Sequence, residues 1–108
     1  MENTNISFIP LNDTSVRTME VNIEKEASIK FEQEVHQKII DVFADYDKFI
    51  FNLKNIEVID LSFIQLLLSI QKTVKSSNKK ISFNIELPEN LLSIIENSGF
   101  NIKKDFES

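Results

Sequence analysis

At 108 residues with no cysteine and a formal charge of -5, the chain has the size of one domain and carries no thiol chemistry, cysteine metal site or disulfide; its charge opposes a phosphate backbone, so nucleic acid is not an expected partner. No apolar run approaches the roughly 18 residues of a membrane span, and Met1-Glu2-Asn3-Thr4-Asn5 lacks the basic-then-apolar order of a secretory signal. The expected location is therefore cytoplasmic, without direct membrane insertion. A single glycine leaves no glycine-rich loop to cradle a nucleotide, and no cofactor is expected.

In chain order, Ile6, Phe8 and Pro10 begin an alternating segment, and Leu11-Asn12-Asp13-Thr14 supplies turn residues. A second alternating segment follows, with Met19, Val21 and Ile23 on one face, Thr18, Glu20, Asn22 and Glu24 on the other, and Arg17 at its outer end. Two antiparallel strands at a sheet edge account for this polarity and for Pro10. From about Ser28 the period becomes helical: Phe31, Val35, Ile39, Val42 and Tyr46 form a stripe, widened by Ile40 and Phe43. His36, the one histidine, sits among polar neighbours and reads as solvated.

Phe49-Ile50-Phe51-Asn52-Leu53 is a dense apolar strand, expected to be covered on both faces. Lys54-Asn55 interrupts it, and Ile56 with Val58-Ile59 returns the chain to the core before Asp60. Phe63, Leu66, Leu67, Ile70 and Val74 then mark a helix that runs to about Ser76. Ser62 with Gln65 has capping-box spacing; Asp60 is the alternative cap, favourable at the positive end of the helix. Lys72, Lys75, Lys79 and Lys80 suit the helix C-terminus and its dipole. Ile81 to Ile85 alternates as a strand, and Pro88 opens a last helix whose apolar side is Leu91, Leu92, Ile94 and Ile95. Gly99 supplies a left-handed cap, with Phe100 packing back. Residues 101–108 read as a short strand or frayed tail, and residues 1–108 as one domain.

The order of elements gives an α/β fold: a small, mostly parallel sheet of four to five strands, an N-terminal antiparallel edge, and packed helices. The chemistry available is thin. Asp60 and Glu57 do not fall reliably together, Ser62 has no histidine within sequence reach, and no metal-ligand spacing is present, so neither a catalytic residue nor a metal site is expected.

Phe49 to Leu53 followed by Val58-Ile59-Asp60-Leu61-Ser62-Phe63-Ile64-Gln65-Leu66-Leu67 resembles the STAS domain, the fold of bacterial anti-sigma factor antagonists, of a small subunit of phospholipid-trafficking ABC systems, and of the cytoplasmic part of sulfate transporters. Leu91 to Gly99-Phe100 resembles that family's last helix. The resemblance implies a STAS-like fold and a non-enzymatic binding module. In the antagonists the phosphorylated serine follows the aspartate directly; here that position is Leu61, which accepts no phosphate. Phe63 stands where the family often has glycine. The resemblance thus implies a partner-binding surface at Asp60, Leu61, Ser62, Phe63 and Gln65, docking on a cytoplasmic signalling protein such as an ATP-binding kinase or an anti-sigma factor. The alternatives are a subunit that binds the ATPase of an ABC transporter, and an antagonist switched at Ser62 as a displaced phosphoacceptor. Two residues carry a second reading: Phe63 begins the helix stripe and fits the core, and Leu61 fits a hydrophobic staple on Leu66 if Ser62 is the cap.

Overall fold

Residues 5–11 and 15–106 are described in a computed structural model of the chain. The elements are β1 (Ile6–Leu11), β2 (Thr18–Ala27), α1 (Ile29–Val42) with a closing 3-10 turn (Phe43–Asp45), β3 (Lys48–Ile59), α2 (Leu61–Ser76), β4 (Lys80–Ile85), α3 (Glu89–Asn97) and α4 (Ile102–Asp105). They build one four-stranded sheet in the order β1-β2-β3-β4. β1 pairs antiparallel with β2, and β2-β3 and β3-β4 pair parallel, as the α1 and α2 crossovers require. The expected turn residues Asn12, Asp13 and Thr14 lie outside the described residues.

Alternation decides which side of the sheet is covered. Met19, Val21, Ile23, Phe49, Phe51, Leu53 and Ile81 share one face and are buried, joined in the core by Phe31, Val35 and Ile39 of α1, by Phe63, Ile64, Leu67, Ile70 and Val74 of α2, and by Ile95 of α3. Phe51 stacks on Phe83 with ring centroids 5.4 Å apart. Each such side chain contributes about 1.5–3 kcal/mol on burial, so this one layer of contacts is the main stabilising element.

The second face of the sheet is polar, which corrects the expectation that β3 is covered on both sides. Asn22, Asn52 and Asn84 are aligned across three strands. Asn84 donates to Asn52 (2.7 Å), and Asn52 donates to Asn22 (2.9 Å) and to Glu20 (2.9 Å). A side-chain ladder of this kind satisfies its own polar groups on a half-wet surface.

β3 also runs on through Lys54-Asn55. Asn55 adopts a left-handed φ of 55° and Lys25 one of 68°, and the β2-β3 register shifts around Lys25. This bulge rephases the strand so that Ile56 enters the core. Asparagine tolerates the left-handed region better than most side chains, so the apparent interruption is a bend within one strand.

α2 ends in a Schellman motif: the N-H of left-handed Asn78 donates to Lys75 O (3.2 Å), and that of Lys79 to Val74 O (3.1 Å). α3 ends in the same way at Gly99, whose φ of 103° suits glycine, with the Phe100 N-H on Ile95 O at 3.3 Å. Ile40 and Ile94, expected on apolar faces, are 54% and 58% exposed. Each is adjacent in sequence to a buried isoleucine and so lies about 100° around its helix from the core. Residues 101–106 form neither strand nor frayed tail: Asn101 caps α4 by accepting from Lys104 N (3.0 Å), Ile102 and Phe106 are buried, and Phe106 meets Phe83 edge-on at 4.7 Å.

Candidate functional site

The β3-α2 junction is built by extending the sheet one residue past the strand. The Asp60 N-H donates to Ala27 O at the end of β2 (3.0 Å), which holds Asp60 in an extended conformation at the N-cap position of α2. Its carbonyl accepts from Phe63 N (3.0 Å) and Ile64 N (3.3 Å). The carboxylate turns away from α2 and accepts from Ile29 N, the first residue of α1, at 2.8 Å. Asp60 therefore caps the neighbouring helix with its side chain and its own helix with its backbone.

Ser28 completes the cap of α1. Its hydroxyl accepts from Lys30 N (3.3 Å) and donates to Glu26 (2.7 Å). Ser62 is the second residue of α2, and its hydroxyl donates to Glu32 of α1. The capping-box expectation for Ser62 and Gln65 is thereby corrected: the helix starts at Leu61, Ser62 is already inside it, and Gln65 is exposed. With Asp60 as the cap, the geometry of a Leu61–Leu66 staple is not met either.

The structure separates the expected surface residues. Asp60 and Ser62 bond to α1, Leu61 is 37% exposed at the first turn of α2, and Gln65 is exposed one turn on. Phe63 is fully buried and belongs to the core, its second reading. Two residues that sequence reasoning did not single out, Ile29 and Glu32, join this end of the sheet, together with Val58, whose expected return to the core is corrected. Ile29 is 68% exposed beside Asp60, Val58 is 48% exposed at the end of β3, and Glu32 receives Ser62. Ile29 carried a legible signal, since it stands two residues before Phe31 and hence on the far side of the α1 stripe. The arrangement is two exposed apolar side chains, Ile29 and Leu61, with the carboxylates Glu26, Glu32 and Asp60 engaged by Ser28, Ser62 and the Ile29 amide.

At the other end of the sheet, Arg17 pairs with Asp47 at 3.2 Å. The guanidinium's hydrogen bond, assisted by its charge and by Lys79, holds the Asp47 carboxyl below the ordinary carboxylate range against the smaller opposing effect of desolvation. Exposed His36 lines an apolar groove between α1 and α2 with Ile39, Ile40, Phe43, Ser69, Ile70 and Thr73. Among the described residues no group of three or more His, Cys, Asp or Glu side chains is placed to hold a metal ion, and no helix is long and apolar enough to cross a membrane.

No protein-family model matches the chain, and no curated protein matches it. Solved structures do. The Bacillus cell fate determinant SpoIIAA in its phosphorylated form is 15% identical over 86% of this chain and 84% of that one, with a TM-score of 0.62. The anti-sigma factor antagonist SpoIIAA in its unphosphorylated form is 16% identical over 86% and 81%, with a TM-score of 0.64. The likeness shows the fold: four strands, antiparallel at β1-β2 and parallel beyond, backed by helices in the STAS arrangement.

Proposed function

We propose that this STAS-fold chain is a non-catalytic docking module for a regulatory protein in the cytoplasm, and that it engages that partner through Leu61. The observation that carries the reading is the division of labour at the β3-α2 junction. Asp60 and Ser62 are occupied by hydrogen bonds to α1, whereas Leu61 between them is exposed, with Ile29 across the Asp60 bond. An exposed apolar anchor with a carboxylate rim fits a partner that offers an apolar pocket edged by basic residues. The fold shared with an anti-sigma factor antagonist supports a partner of the anti-sigma factor or signalling-kinase class.

The same division supports docking without a phosphate switch. The position directly after Asp60 is leucine, and the hydroxyl one residue on faces the Glu32 carboxylate. A phosphate there would add roughly -1.5 to -2 charges beside an acid. Recovery of partners from native lysate by the wild-type chain and by Leu61→Asp tests the reading. Loss of recovery with an unchanged circular dichroism spectrum is expected; undiminished recovery by a folded variant would overturn it.

A further inference from the structure

β3 and β4 begin at Lys48 and Lys80, which are directly paired in parallel register. Neighbouring strands lie about 4.8 Å apart, so two ammonium-bearing side chains leave the sheet side by side, an arrangement that repels. Lys75, in the last turn of α2, and Lys79 converge on the same place, and together with Ile81 and Ser82 these residues line a cavity of about 390 Å³.

Lys79 is accounted for within the fold. It donates to Tyr46 O (2.8 Å), lies 3.7 Å from Asp47, and covers the Phe43 ring at 5.0 Å. Asp47 is also engaged by Arg17, through hydrogen bonds of 3.2 and 3.3 Å. Lys48, Lys75 and Lys80 have no ion pair among the described residues. The dipole of α2 favours Lys75 in its last turn, but it does not explain Lys48 and Lys80, which stand at the starts of two strands. In a chain of net charge -5, three ammonium groups without an ion pair among the described residues share one cavity.

We infer that this cavity is a binding site for a small phosphoryl anion, held by Lys48, Lys75 and Lys80 with the Ser82 hydroxyl as a further donor. A tetrahedral anion with several acceptor oxygens matches donors that arrive from two strands and a helix, and its charge relieves the Lys48–Lys80 repulsion. The size of the cavity and the acidity of the rest of the chain favour a small anion over a nucleic acid backbone.

The test is a titration of the full chain with sodium pyrophosphate, followed by amide chemical shifts at constant ionic strength, with sodium chloride as control. Saturable shifts centred on residues 48, 75, 80 and 82 are expected, weakened about tenfold or more in the Lys48→Gln/Lys80→Gln variant. That variant should fold at least as stably as wild type, because a like-charge pair is removed; Lys75→Gln is the single-site check should it not fold. Co-sedimentation with vesicles of equimolar phosphatidylglycerol and phosphatidylcholine separates the sources. Vesicle binding that disappears with the same substitutions identifies a lipid headgroup, and pyrophosphate binding alone identifies a free phosphate compound. Shifts that chloride reproduces, saturation indifferent to the lysine substitutions, or vesicle binding without pyrophosphate binding would overturn the inference.

Discussion

Ile29 and Asp60 are joined by a 2.8 Å hydrogen bond from the first helical amide of α1 to the carboxylate at the head of α2. One acid thereby fixes the relative position of two helix starts, and with them the two exposed apolar residues Ile29 and Leu61. Asp60→Ala is expected to cost about 1 kcal/mol in urea denaturation, the usual cost of a lost helix cap, and Asp60→Asn to recover most of it because its side-chain oxygen still accepts. Equal loss in both variants would show that the carboxylate charge, and not its capping geometry, matters.

Leu61 and Phe63 are two residues apart and differ in kind. Phe63→Ala should cost about 3–5 kcal/mol by opening a cavity under the sheet. Leu61→Ala should cost less than about 1 kcal/mol, since the side chain is more than a third exposed. Denaturation midpoints of the two variants at a common denaturant slope measure the contrast directly.

Ser62 faces Glu32, and this makes a negative group at position 62 unwelcome. Ser62→Glu should be less stable than Ser62→Ala by about 1 kcal/mol, from repulsion against a half-buried carboxylate. Intact-mass measurement of protein from its native host should show no phosphate that depends on Ser62. A phosphate lost in Ser62→Ala would mean that the switch operates here from a displaced position.

The Arg17–Asp47 pair gives a pH dependence of definite sign. The folded Asp47 carboxyl sits below its unfolded value, so its contribution is present above about pH 4 and is lost as the pH falls through the lower, folded value. The difference in melting temperature between wild type and Asp47→Asn should therefore shrink between about pH 6 and pH 3. It should also shrink with added salt, because the pair is exposed to solvent.

Much of this fold is legible from period alone. The switch from the alternation of Met19, Val21 and Ile23 to the helical spacing of Phe31, Val35 and Ile39 marks β2 and α1 correctly, because both patterns face one common layer. The open face of β3 was harder to read. Ile50 and Asn52 alternate with phenylalanines, and only the register with Asn22 and Asn84 reveals a polar ladder. The candidate site was half legible. Its residues after Asp60 stand in one continuous stretch, whereas Ile29 and Glu32 enter through tertiary contacts across 31 and 30 positions that no local pattern encodes. The capping box failed because α2 starts at Leu61 with Asp60 at the cap: Ser62 is already inside the helix, and its hydroxyl donates to Glu32 of α1 instead of accepting from an amide of its own first turn.

Site-specific photo-crosslinking in the native host tests the docking account most directly, with the crosslinker placed in turn at positions 61, 29 and 84. The account predicts one common polypeptide captured from positions 61 and 29 and not from position 84 on the open sheet face. Capture of that polypeptide from position 84, with none from position 61, would contradict it.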